Sequence, residues 1–63
     1  MNAIEPLYVS KNVEYGIQSE VYHIRTGYSV HLRDTDADEV CGFSITYKNF
    51  DDAITEADRI VAA

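Results

Sequence analysis

Apolar residues recur along this chain with two different periods. Towards the C-terminus, Phe50, Ala53, Ile54, Ala57, Ile60 and Val61 fall at i, i+3, i+4 and i+7 intervals. That is the spacing of an apolar stripe along one side of an α-helix. Asn49 stands where an N-cap side chain is favoured. Asp51 and Asp52 place negative charge on the first turn, where the helix dipole favours it. The spacing predicts a helix over residues 50–62.

Upstream the period drops to two. In Tyr28-Ser29-Val30-His31-Leu32-Arg33 one set of alternating positions is Tyr28, Val30 and Leu32, and the other is Ser29, His31 and Arg33. In residues 41–47, Cys41, Phe43, Ile45 and Tyr47 alternate with small or polar residues. Both patterns read as strands with one buried and one wet face. Glu20–Arg25 reads as a further strand, joined to the next through Thr26-Gly27, and Asp34–Glu39 reads as the loop of a second hairpin. The fold class is α+β: an antiparallel three- to four-stranded meander, with strands at 20–25, 28–33 and 40–47 and one C-terminal helix packed on one face. The expected core is Ile24, Tyr28, Val30, Leu32, Phe43, Ile45, Phe50, Ile54, Ala57 and Ile60. Residues 1–19 are the weakest part of the pattern. Leu7-Tyr8-Val9 and Val13-Glu14-Tyr15 suit short strands and Pro6 suits an edge, so an edge strand is expected here.

Sixty-three residues make one domain, 1–63, without repeat or linker. A chain of this length buries about 60% of its unfolded surface, and its stability scales to about 3–9 kcal/mol. So thin a core leaves little room for the cleft of about 300–1,000 Å³ that a drug-sized ligand needs. Presenting a surface to a partner is the expected mode of action. A single cysteine, Cys41, permits no internal disulfide, which argues against a small secreted domain. No apolar run approaches the roughly 20 residues of a membrane span. The opening residues lack the basic and apolar segments of a signal peptide. A soluble, cytoplasmic protein that does not engage the membrane is expected.

The charge layout changes this picture more than the composition does. The net charge is -6, yet residues 1–33 balance Glu5, Glu14 and Glu20 against Lys11, Arg25 and Arg33. The whole excess lies beyond, in Asp34, Asp36, Asp38, Glu39, Asp51, Asp52, Glu56 and Asp58. Phosphate binding needs a basic footprint, so direct nucleic-acid binding is not expected. A negative surface favours basic partners and speeds encounter with them.

Catalytic and metal chemistry finds no support. Asp34-Thr35-Asp36-Ala37-Asp38-Glu39 opens like a calcium loop, but Glu39 and Ile45 stand where that loop needs Gly and a bidentate Glu. His23 and His31 could face each other across adjacent strands, without a recognised metal-ligand spacing. Cys41 lies beside an acidic loop that would oppose a thiolate and is expected as a buried or edge-of-core thiol. Gly16, Gly27 and Gly42 are too dispersed for a phosphate-cradling loop. No enzyme activity, cofactor or metal is expected.

Two surface sets remain. The acids form a hairpin-loop group (Asp34, Asp36, Asp38, Glu39) and a helix group (Asp51, Asp52, Glu56, Asp58). Together they could imitate the charge row of a nucleic-acid backbone. Asp52 and Glu56 are like charges at i, i+4, which is locally unfavourable. Five tyrosines, at 8, 15, 22, 28 and 47, exceed what so small a core can hold. Tyr8 and Tyr15 are the two expected at the surface, either as interface anchors or as cover for the open sheet edge.

Residues 28–60 resemble the strand–strand–helix part of HicB-type antitoxins. A Tyr-x-Val-x-Leu strand is followed by a loop, another strand and a helix of Phe50-Asp51-Asp52-Ala53-Ile54-Thr55-Glu56-Ala57 form. In size, acidity and compact α+β pattern, the whole chain resembles small phage-encoded inhibitors of host defence, of the anti-CRISPR type. That resemblance implies a non-enzymatic inhibitor or adaptor in the host-cell cytoplasm. Such a protein would dock its acidic surface, with Tyr8 and Tyr15, on a basic protein of a nucleic-acid-processing complex. The alternatives are a self-associating module, with a homodimer as its interface, and an antitoxin-like partner of a small toxin.

Overall fold

The computed structural model describes residues 5–43 and 45–62. Four antiparallel strands, β1 (Tyr8–Asn12), β2 (Ile17–Ile24), β3 (Gly27–Asp34) and β4 (Glu39–Phe43), lie side by side in chain order. They are followed by one helix, α1 (Phe50–Val61). This is the expected α+β meander with a C-terminal helix on one face. The edge strand foreseen within residues 1–19 is β1; residues 1–4 of that segment lie outside the described residues. The helix packs against β1, β2 and β3 and leaves β4 uncovered.

Cross-strand partners share a face of the sheet, so the register sorts every strand residue. The row Tyr8–Val21–Val30 lies under the helix, as does Ser10–Ser19–Leu32. Val21, Val30, Ala53 and Ala57 are completely buried, and Tyr8, Tyr28, Tyr47, Phe50 and Ile60 pack around them. Two alanines on the helix let its backbone come close to the sheet. Ser19 Oγ uses that closeness to donate to the Ala57 carbonyl at 2.5 Å, and Asn12 Nδ2 donates to the Val61 carbonyl at 2.6 Å. The last turn of a helix leaves carbonyls without intrahelical donors, and Asn12 supplies one. Asn49 has the extended backbone of an N-cap, but its side chain donates to the Asp52 carboxylate at 3.3 Å instead of accepting from the helix backbone.

The predicted core is corrected at three positions. Ile24 pairs with Gly27, and its parity along β2 puts it on the face away from the helix, while Val21 occupies the core. The hairpin turns at Arg25-Thr26, one residue before the expected Thr26-Gly27. This slips the pairing by two residues and keeps the faces, so Ile24 opposes an odd-numbered residue of β3 under either turn, and only its apolar character had pointed to the core. Gly27 is needed at the strand start. It has φ 147°, and a Cβ there would collide with the Tyr47 carbonyl oxygen. Phe43 and Ile45 are 77% and 75% exposed and do not belong to the core. Pairing slips between Leu32 and Arg33, where Cys41 is the extra residue of a bulge. Phe43 thereby stands opposite His31, on the uncovered face. Tyr47 pairs with Tyr28 on the covered face, so the odd positions of 41–47 do not share one side. Cys41 itself is exposed, contrary to expectation.

Candidate partner-binding surface

The two hairpin loops at one end of the sheet are fastened together. The Thr35 amide donates to the Gly16 carbonyl at 2.9 Å, joining the β3–β4 loop to the β1–β2 loop. Gly16 adopts φ 65°, and a Cβ on it would press against the Asp36 carboxylate at 3.0 Å. Asp34 stiffens its own loop: Oδ1 accepts from the amides of Asp36 (3.0 Å) and Ala37 (3.2 Å). Asp38 takes φ 54°, a left-handed conformation that Asp tolerates better than most residues. Arg33 Nη1 donates to its carboxylate at 3.3 Å.

This fastening sets exposed Val13 (87%) and Tyr15 (61%) beside exposed Asp36. Between the loops lies an open depression of about 320 Å³, lined by Lys11, Asn12, Val13, Gly16, Ile17, Gln18, Thr35 and Asp36. Tyr15 is held by its amide, which donates to Asn12 Oδ1 at 3.2 Å. The predicted Tyr15 and the predicted loop acids Asp34, Asp36, Asp38 and Glu39 thus meet at one end of the sheet. Asp34 and Glu39 pair as the closing residues of the hairpin rather than as loop residues. Val13 and Glu14 belong to the same end and were missed, because the length of the β1–β2 loop is not readable from its composition.

The helix acids do not join this end. The helix starts beside Tyr28, whose ring centroid lies 5.3 Å from that of Phe50, and finishes beside Asn12. Tyr28 is six residues from Asp34 along β3, or about 20 Å. Asp51 and Asp52 therefore lie at the far end of the molecule from the acidic loop. Glu56 is paired with Arg59 at 2.6 Å, and this guanidinium holds its carboxyl below the usual carboxylate range. Asp58 accepts from Tyr8 Oη at 2.8 Å. Tyr8 is half-buried against the core, not at the surface as expected. Its bond to Asp58 pushes the phenol above its ordinary value.

The uncovered face holds a feature that composition hid. The cross-strand row Val9–Glu20–His31–Phe43 runs through its middle. Glu20 is only 4% exposed although no element covers it. Its neighbours close over it: Gln18 Nε2 donates at 2.5 Å, Tyr22 Oη at 2.9 Å and Arg33 Nε at 3.0 Å. Burial alone would push the Glu20 carboxyl up; the bonds from Arg33, Gln18 and Tyr22 and the charge of Arg33 outweigh it and leave the group below its ordinary range. The Tyr22 phenol is pushed up, first by burial and then by its bond to Glu20. The Tyr22, His31 and Phe43 rings adjoin across three strands, with centroids 4.8 and 5.0 Å apart. A hairpin centred on Arg25-Thr26 sets Arg33 diagonal to Glu20, and one centred on Thr26-Gly27 would set it directly opposite, so the pairing of these two strands already carried the signal for this pair.

His23 and His31 do not face each other. His23 pairs with Tyr28 on the helix side, and His31 with Glu20 on the other. Among the described residues, no group of three or more His, Cys, Asp or Glu side chains is placed to hold a metal ion. No described helix is long and apolar enough to cross a membrane. Comparisons with protein-family models, with curated proteins and with solved structures return no match.

Proposed function

We propose that the protein is a small non-enzymatic binding module, an inhibitor or adaptor that docks its loop end on a basic protein surface. The observation that carries this reading is the Thr35–Gly16 hydrogen bond, which holds an exposed tyrosine beside an acidic loop. Aromatic side chains supply anchoring area at low entropic cost, and carboxylates around them select basic partners and speed encounter. The loop is preorganised by the Asp34 turn, so little ordering cost falls on binding. A basic surface that normally handles nucleic acid suits such a charge pattern, and the module would obstruct it sterically or by mimicking phosphates. The resemblance to phage anti-defence inhibitors in size and acidity points to the same class of target. The helix acids contribute a general negative field rather than contacts at this end.

The test is affinity capture from lysate of the encoding organism, at low and at roughly physiological salt. Native protein is compared with the triple variant Tyr15→Ala, Asp36→Lys, Glu39→Lys. All three side chains are exposed, so the variant should melt like the native protein. A basic protein retained by the native chain, released as salt rises and lost with the variant, is the expected result. Equal retention by the variant would sink the reading.

A further inference from the structure

The uncovered face of the sheet is a second interaction surface, independent of the loop end. We propose that it is the contact between two copies of this chain, whose open sheets pack face to face as a two-fold homodimer.

Three observations select a second copy as the occupant. The first is charge. The ionised residues that the register places on this face are Lys11, Glu20 and Arg33, so their charges nearly cancel while the molecule as a whole carries -6. A basic partner is drawn to the acidic loop or the helix start, not here. Two copies meeting through this face keep their acidic loops and helices away from its centre. An isologous contact needs a patch that is complementary to itself, and a face whose charges nearly cancel, with Val9, Val40 and Phe43 exposed among them, satisfies that condition.

The second observation is the state of the one buried charge. The Glu20 carboxylate has already left water and accepts three hydrogen bonds within its own chain. A second sheet laid over it strips away almost no further solvent. Burying an unpaired carboxylate would cost several kcal/mol, and this face avoids that cost. Around Glu20 stand Val9, Val40 and Phe43, exposed by 37%, 38% and 77%. Beside them Tyr22, Ile24 and His31 border a depression of about 310 Å³ that a ring from the second copy can enter.

The third is area. The accessible surface is 4580 Å², against about 4,100 Å² for a compact monomer of 7.1 kDa. The chain is a slab 15 Å thick between Cα atoms and 31 Å across. Four strands at about 4.8 Å spacing, five to eight residues long, give a face of roughly 20 by 20 Å. Its projected area of about 400 Å² lies below the roughly 800 Å² per partner of a standard interface. A contact of that size sits at the small end of specific interfaces, so the dimer is a weak one in exchange with monomer.

Sedimentation velocity from about 5 to about 500 μM, at about 0.15 and about 0.5 M salt, tests this directly. The expected result is a monomer–dimer equilibrium that is unchanged or tightened at high salt, because screening weakens repulsion between the acidic remainders. Phe43→Glu should weaken dimerisation about tenfold or more. Should that variant fail to fold, Val9→Lys on the opposite edge of the same face gives the same readout. Amide chemical shifts on dilution should move in Val9, Tyr22, His31 and Phe43 and not along the outer side of the helix. A strict monomer at the highest concentration would overturn the proposal. So would a dimer that dissolves as salt rises, or one that either folded variant leaves intact.

Discussion

The two faces of one sheet solve the same burial problem with opposite chemistry. The covered face buries small side chains, Val21, Val30, Ala53 and Ala57, and relies on close approach of a helix. The other buries a carboxylate, Glu20, with no element above it, and relies on three long side chains folding over. Apolar burial is non-directional and tolerates small shifts. A buried charge is held only while its donors are in place. The thin apolar core should therefore fail gradually, and the charged centre abruptly.

The largest effect should come from breaking the charged centre. Arg33→Ala leaves Glu20 buried beside Gln18 and Tyr22 without its counter-charge, and should destabilise the fold more than Val30→Ala or Ser19→Ala, read from urea denaturation at pH 7. Adding Glu20→Gln should recover much of that loss, since the uncompensated charge is gone. No recovery would mean that Arg33 acts by packing alone. On the other face, Val30→Ala should cost about 2 kcal/mol, with an unchanged denaturant slope. If it proves costlier than Arg33→Ala, the contrast between the faces collapses.

Acid should sharpen the contrast further. Glu20 is held below its ordinary value, so the folded state binds a proton less readily than the unfolded one. Its contribution is fully present above the unfolded value of about 4.3 and is lost as pH falls through the lower folded value. Glu56 adds to the loss in the same direction. Thermal melts at pH 7, 5 and 3 should show a decline that Glu20→Gln flattens and Val30→Ala leaves parallel to the native curve.

Smaller effects follow. Ser19→Ala removes the bond to the Ala57 carbonyl and should cost about 1 kcal/mol. Phe43→Ser, on an exposed ring, should stay within about 0.5 kcal/mol in dilute protein. A larger loss for Phe43→Ser would show that its ring contact with His31 supports the monomer fold.

What could be read from the sequence divides along the same line as the two faces. The helix is legible because its period is local: Phe50, Ala53, Ala57 and Ile60 define it without reference to any other element. The meander is legible because each strand alternates. Which residues each strand turns to the helix is not, because that depends on how neighbouring strands pair and where a bulge falls. Ile24 falls with the open-face residues of β3 and Val21 takes the core place opposite Val30, while the extra residue at Cys41 turned Phe43 outward. The acidic loop was legible as a run of carboxylates. Its placement beside Tyr15 was not, since a backbone bond between Thr35 and Gly16 leaves no trace in side-chain composition. The Glu20–Arg33 pair, thirteen positions apart, follows from the pairing of β2 with β3, but the closure of Gln18 and Tyr22 over the same carboxylate does not.

The bonds from Asn12 and Ser19 to the helix carbonyls also bear on the order of assembly. Their partners are 49 and 38 positions further along the chain. During synthesis the four strands emerge before the helix that covers Val21 and Val30. Until it arrives, the hairpins have a bare apolar side and two polar side chains waiting for acceptors. Long-range closures of this kind slow folding and prolong the exposure of strand edges to neighbouring chains. A nascent chain stalled before residue 50 is thus the form of this protein most open to proteases and to aggregation.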